Sequence, residues 1–204
     1  MLRVNVKQSY SMGTNCYLVS NDDGYIVIDP AVDYNVVDEM TSGSLQAVLI
    51  THGHFDHVEK LQSYLDNSDV KIYGHKECLE KLQNPMTNCS AYFGDEIMFD
   101  LSDRFVAVCD NEELEIVGLK VKVRENSGHT NCSVSYIIDD AMFSGDFIFN
   151  GSIGRTDLPT GSNERMKESL SKIINIDDDY VIYPGHGNQT TLYIEKKRNP
   201  YLNV

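Results

Sequence analysis

The sequence predicts a layered α/β protein in which two mixed sheets pack face to face beneath outer helices. Three observations carry this expectation. Apolar strand-like runs and amphipathic helical stripes alternate through the first half of the chain. The second half runs as paired strands and then closes with helices. The 204 residues contain no low-complexity linker, internal repeat or charge block, so residues 1–204 read as one domain long enough to bury a substantial core.

Residues 4–7, 16–20 and 25–29 read as strands, the last two joined by the turn "NDDG" at 21–24. A short helix over 36–40 and a buried strand over 47–51 lead into "THGHFDH", residues 51–57. Val58, Leu61 and Leu65 then recur at helical spacing, followed by a strand over 70–75 and a helix over 76–82. Residues 84–112 show no clear period. Strands over 114–117 and 119–124 suggest a hairpin about Gly118, and strands over 133–138 and 141–144 turn at Asp139-Asp140. Ser162 or Asn163 can cap a helix carrying Met166, Leu170, Ile173 and Ile174 on one face. A last strand covers 180–183 and a last helix 191–198.

The net charge of −14 argues against nucleic acid as a partner, because phosphate contacts draw on Lys and Arg. An anionic substrate would likewise need a local basic patch. No run approaches the roughly 20 apolar residues that cross a bilayer, so no membrane partner is expected. The N-terminal "MLRVNVKQSYSMGTN" lacks an apolar signal region, which makes a cytoplasmic location the expectation. The five cysteines (Cys16, Cys78, Cys89, Cys109, Cys132) are scattered and form no C-x-x-C pair. They read as small core residues or idle thiols, not as a disulfide framework or thiolate zinc site.

Four apolar strands end in glycine-flanked imidazoles or carboxylates: His52, His54, Asp56 and His57 after 47–50, His129 in "SGHT", Asp146 in "SGD" and His186 in "PGHG". Neutral imidazole and carboxylate are the usual ligands of Zn, Fe and Mn. His52, His54 and His129 would supply one metal, and Asp56, His57 and His186 a second. Asp146 would bridge them with its two oxygens, and five of the six histidines are then used. The alternation of His52, His54 and Asp56 places them on one side of an extended segment. His75 stands alone and reads as a non-ligand. Asp29 in "IVIDP" reads either as the carboxylate that orients a metal-bound histidine or as a simple turn residue.

"THGHFDH", "SGHT", "SGD" and "PGHG", in this order, resemble the metallo-β-lactamase fold superfamily. "SGDFIFNGSIGRTDLPTG", "YPGHG" and "ERMKESL" resemble its short glyoxalase II-like, hydroxyacylglutathione hydrolase-type branch. The resemblance covers nearly the whole chain. It implies an αββα four-layer sandwich with a dinuclear site at one edge of the two sheets, held by His52, His54, Asp56, His57, His129, Asp146 and His186. Two departures stand out: Ser127 replaces the proline that often precedes the Gly-His-Thr turn, and "VEK" after His57 lacks the usual glycine. Classical glyoxalase II enzymes also carry a C-terminal helical extension that helps bind glutathione, and none is expected in a chain ending at Val204.

The resemblance implies a metal-dependent hydrolase with two divalent ions, Zn first, with Fe and Mn as alternatives. The expected reaction is cleavage of a small-molecule thioester such as S-D-lactoylglutathione by a metal-bridging hydroxide, with Asp56 and Asp146 as catalytic residues. A metal pair lowers the pKa of water to about 7, so no Ser-His or Cys-His nucleophile is needed. The alternative is a persulfide dioxygenase using one iron on His52, His129 and Asp146; a lactonase of the same fold is a third reading. A secreted β-lactamase is disfavoured by Asp in place of Cys at position 146 and by the missing signal region. Arg155 and Asp157 in "GRTD" either position the loop beside Asp146 through an ion pair or meet a substrate carboxylate. Lys196, Lys197 and Arg198 read as a solvated helix face. The oligomeric state stays open between monomer and homodimer.

Overall fold

Alternation along the strands decides which core each side chain enters. The computed structural model describes residues 2–40, 44–101 and 103–202. The first sheet comprises β1 (Arg3–Gln8), β2 (Asn15–Ser20), β3 (Tyr25–Ile28), β4 (Leu45–Leu49), β5 (Lys71–His75) and β6 (Phe105–Val108), side by side in that order. β1, β2 and β3 are antiparallel neighbours, whereas β3 to β6 are parallel. Helices α1 (Tyr34–Asp38), α2 (Leu61–Asn67) and α3 (Lys76–Leu82) supply the connections between the parallel strands as far as β6.

The second half forms β7 (Glu113–Ile116), β8 (Leu119–Glu125), β9 (Val134–Ile138), β10 (Ala141–Gly145), the short hairpin β11 (Ile148–Phe149) and β12 (Ser152–Ile153), and α4 (Asn163–Ile174). β13 (Val181–Pro184), β14 (Thr190–Thr191) and α5 (Leu192–Arg198) follow. The second sheet runs β14-β13-β10-β9-β8-β7, with β13 and β10 parallel and the other neighbours antiparallel.

Between the sheets, Tyr17, Val19, Ile26, Ile28, Ala47 and Leu49 meet Val121, Val123, Val134, Tyr136, Ile138 and Phe143. The alternate residues Leu18, Val27 and Val48 face outward onto Val37, Leu61, Tyr64 and Leu82. On the far side, Ile137, Met142 and Ile182 pack against Met166, Leu170 and Ile173 of α4 and Leu192 of α5. Two sheets between two helical layers make the αββα sandwich. A one-residue slip in β2, β3 or β4 would exchange the two cores, so register is fixed by burial on both faces. Among the described residues no helix is long and apolar enough to cross a membrane.

Several boundaries differ from expectation for local reasons. α1 starts at Tyr34 because the Asp33 side chain caps it, accepting from Asn35 N. α2 starts only at Leu61, since residues 55–57 form a 3-10 turn ahead of it. The hairpin at Gly118 closes with Val117 and Gly118 both at positive φ (52° and 71°), and Asn21 Nδ2 donates to Val117 O at 2.6 Å to hold it. Ser162, not Asn163, caps α4, accepting from Arg165 N. Within 84–112, the described residues form a 3-10 turn (Ser90–Phe93) and the edge strand β6.

Strand direction gathers the predicted polar residues. β3 and β4 run parallel in one sheet; β8, β10 and β13 run the same way in the other. Their C-terminal ends therefore lie at one edge. Backbone bonds stitch the two sheets there: Val134 N donates to Thr51 O at 2.8 Å and Asn15 N to Gly185 O at 2.7 Å.

Candidate metal centre

β4 delivers residues 52–57 to this edge, but not as one extended segment. His52 lies just past β4 and His54 on extended backbone; Asp56 and His57 fall in the 3-10 turn Phe55–His57. The turn takes Asp56 away from the side expected from the alternation. Its Oδ2 lies 3.2 Å from His186 Nε2 and 3.7 Å from His57 Nε2. The two halves of the motif thus face different partners.

His52 Nε2 and His129 Nε2 approach His54 Nδ1 at 3.2 and 2.9 Å. Their other ring nitrogens assign the tautomers. His129 Nδ1 lies 2.7 Å from Arg155 O, a carbonyl that can only accept, so Nδ1 carries the proton. His52 Nδ1 faces Thr51 Oγ1 at 3.2 Å, and that hydroxyl already donates to Asp29. Both Nε2 atoms therefore point lone pairs at His54 Nδ1, which has at most one proton to share between them. A cation among the three nitrogens resolves the conflict. Nitrogens around one tetrahedral Zn²⁺ stand about 3.3 Å apart at the usual bond length, close to these separations.

The second set repeats the logic with charge. His57 Nδ1 donates to Asp29 Oδ2 at 2.8 Å, which turns Nε2 toward Asp146 Oδ1 at 3.2 Å. Both His57 Nε2 and Asp146 Oδ1 are buried without a hydrogen-bond partner. Asp146 Oδ2 lies 3.5 Å from His129 Nε2 and 3.7 Å from His186 Nε2. One carboxylate thus reaches across both sets. The groups within metal-ligating reach are His52 with His54 and His129, His52 with His57 and Asp146, and Asp56 with His57 and His186. All seven expected residues converge, and they fit divalent metal ions.

Electrostatics divide the sets. Burial, then neighbouring imidazoles, push His52 and His54 well below the ordinary histidine range, and burial lowers His129. Burial also opposes charge on His57, yet Asp146, Asp56 and Asp29 together raise it well above that range. His186 is raised against burial by its bond to Asp56. Burial acts to raise Asp56 and Asp146, but neighbouring His57 and His186 hold both below the ordinary carboxylate range. Ionised carboxylates this buried require compensating cations.

The scaffold around the ligands is tightly set. Asp29 sits at φ 55°, a conformation uncommon outside glycine. From there it accepts from Thr51 N at 2.8 Å, Thr51 Oγ1 at 2.7 Å and His57 Nδ1. Of the two readings of "IVIDP", the structure places Asp29 against a candidate ligand. Thr14 Oγ1 donates to Asp56 Oδ2 at 2.9 Å, an interaction no sequence motif signalled. A Cβ at Gly185 would overlap Asp146 Oδ1, so that turn must be glycine for the carboxylate to sit where it does. His75 lies apart, its Nε2 3.3 Å from Glu125. Arg155 and Asp157 form an exposed bidentate pair at 2.6 and 2.7 Å, while the Arg155 carbonyl holds His129.

A cavity of about 600 Å³ opens beside the set, bounded by His54, Asp56, His129, Asp146 and His186 on one side. Phe93, Tyr92, Phe149, Ile153, Leu158 and Met12 line the other. Tyr92 and Phe93 of that wall come from residues 84–98, which sequence periodicity left unread. Cys89 at positive φ (71°) starts the 3-10 turn, and Asn88 ties it down: its carbonyl accepts from Phe55 N at 2.9 Å and its side chain donates to Ile97 O at 2.7 Å. The aromatic and glycine residues of "SAYFGD" were the available signal.

Comparison with known proteins agrees with this fold. The family model described as the metallo-beta-lactamase superfamily matches residues 11–186. Hydroxyacylglutathione hydrolase GloC of Haemophilus influenzae is 32% identical, over 93% of this chain and 92% of its own length. The crystal structure of BLEG-1 B3 metallo-beta-lactamase superposes with a TM-score of 0.90 at 28% identity, covering 99% of this chain and 100% of that one. TTHA1623, solved in a di-iron-bound form, superposes with a TM-score of 0.85 at 27% identity, covering 97% of this chain and 100% of that one.

Proposed function

Because the chain belongs to the metallo-beta-lactamase superfamily, whose members are metal-dependent hydrolases, we propose that it is a dinuclear hydrolase of thioesters. The acyl-thiols, S-D-lactoylglutathione among them, are its substrate class. The observation that supports two metals is Asp146, whose oxygens face His57 on one side and His129 and His186 on the other. The ligand chemistry suits Zn, Fe and Mn alike. The kinship with GloC supports the thioester.

When bound, the metal pair supplies a water acidic enough to attack at neutral pH and polarises the acyl oxygen. The residues of the chain prepare that chemistry. Asp29 and the Arg155 carbonyl fix the rings of His57 and His129 so that each presents Nε2 to the centre. Asp56, ionised and held by Thr14, orients the attacking water. A thiolate leaves without a general acid. Cys89, the thiol in the cavity wall, is pushed up by burial and offers no ready thiolate nucleophile.

The test is elemental analysis of the purified protein, followed by assays of the same sample on S-D-lactoylglutathione, neutral acyl thioesters, glutathione persulfide and a β-lactam. About two metals per chain with thioester cleavage is the expected result. One iron with oxygen consumption on the persulfide, or hydrolysis of the β-lactam alone, would overturn it.

A further inference from the structure

We infer that the cleft beside the metal set takes an apolar group of the substrate, carried on either side of the thioester, and that anionic carriers are its poorer ligands. This deepens the thioester reading and rests on it for the reaction, though not for the binding.

Tyr92 and Phe93 are each 58% exposed and Met12 41%, apolar side chains open to solvent that line the same cavity as the candidate ligands. Phe93 is backed by Phe55, ring centroids 5.0 Å apart, and Phe55 belongs to the ligand loop itself. Phe149 stands 6.2 Å from the His186 ring. An apolar wall thus begins within one ring of the reacting position and runs out to the mouth.

Charge points the same way. Among the described residues, Arg155 is the one Lys or Arg lining this cavity, and the Nε–Nη2 edge of its guanidinium is taken by Asp157 at 2.6 and 2.7 Å, which offsets its charge. Lys81 is buried, with Nζ donating to Thr87 O at 3.1 Å and Thr160 Oγ1 at 2.7 Å. The chain as a whole carries −14. The carboxylates of a peptide thiol, or the phosphates of a nucleotide thiol, would therefore lose water against aromatic rings with only an already paired guanidinium in the wall to compensate. A methylene placed there gains about fourfold in affinity.

Two series on the metal-loaded protein separate the acyl from the thiol side. The first takes acetyl, butanoyl and hexanoyl thioesters of N-acetylcysteamine; the second takes acetyl thioesters of ethanethiol, butanethiol and hexanethiol. In at least one series kcat/KM should climb by about fourfold per methylene, and that series identifies the side that occupies the cleft. Phe93→Ala, at an exposed position, should flatten the climb. Calorimetric titration with acetate and hexanoate, or with ethanethiol and hexanethiol, should show the same gradient with no turnover required. If no thioester is cleaved but the binding gradient is present, the thioester reading falls and the cleft assignment stands. If both series and both titrations are flat, or S-D-lactoylglutathione exceeds every neutral thioester in kcat/KM, the inference is overturned.

Discussion

His52, His54 and His129 meet nitrogen to nitrogen and are kept neutral by burial, whereas Asp56, His57 and His186 meet through carboxylate oxygens that draw protons onto the imidazoles. The two sets are neighbours, with the rings of His52 and His57 4.2 Å apart between centroids. Their difference comes from which carboxylates each faces. Asp29 and Asp56 act on the second set, and Asp146 faces both. The first set is therefore ready for a metal at neutral pH. In the second, the charge that attracts a metal also attracts the proton that competes with it.

The strongest way to break this comparison is to remove the residue the sets share. Asp146→Ala should leave fewer than two metals per chain by elemental analysis. Hydrolysis should fall on the order of 10³-fold, the scale of the several kcal/mol a metal contributes to the transition state. Circular dichroism that matches the parent would show that the loss is local. Full metal content and full activity in this variant would remove Asp146 from the site.

Asp29→Asn should act unequally. It removes a carboxylate from His57 directly and reaches His52 only through Thr51. Affinity for the second metal should drop by about 10- to 100-fold, as for other groups that orient a ligating histidine, with a smaller change at the first. Competition with a chelator, read as two separate release steps, measures both. An equal loss in the two steps would mean that Asp29 supports the edge as a whole.

pH sharpens the contrast further. In the metal-free protein the Cε1 proton of His57 should titrate well above the ordinary value of about 6.5, and that of His52 well below it. Below their raised values His57 and His186 each hold a proton that the metal must displace, so affinity at the second set should rise with pH, by about tenfold per unit for each of the two still protonated, until those values are passed. At the first set the nitrogens are already free above about 6.5, and affinity should be flat there. Histidine NMR and metal titration across pH read these out; parallel curves for the two sets would contradict the charge assignment.

The convergence of the seven candidate ligands was legible in the sequence because each lies close after an apolar strand with a glycine nearby, and strand direction then brings the turns together. The division of labour within "THGHFDH" was only partly legible. Alternation suggested one face, but a 3-10 turn at Phe55–His57 redirects Asp56, and no periodicity announces a three-residue turn. The aromatic wall was signalled only by the composition of "SAYFGD", and its position was not legible. Its shape depends on Asn88 side-chain bonds and on Cys89 at positive φ, which are tertiary choices that composition does not encode. β11, β12 and β14 are two residues each, too short to show a period.

The smallest effect should come from the exposed pair beside the wall. Arg155 and Asp157 neutralise one another, and the guanidinium holds the Asp157 carboxyl down at about 2, so the pair stays ionised at any working pH. Asp157→Asn would release the guanidinium that is, among the described residues, the one Lys or Arg lining the cavity, while leaving the Arg155 carbonyl bond to His129 in place. Stability should barely move, since exposed ion pairs contribute little. Hydrolysis of S-D-lactoylglutathione should rise modestly relative to a neutral hexanoyl thioester, because a freed guanidinium can meet a carboxylate. A larger benefit at low salt than at high salt would mark the gain as electrostatic. An unchanged ratio would show that Arg155 faces away from any bound carrier, leaving its backbone as its contribution to the site.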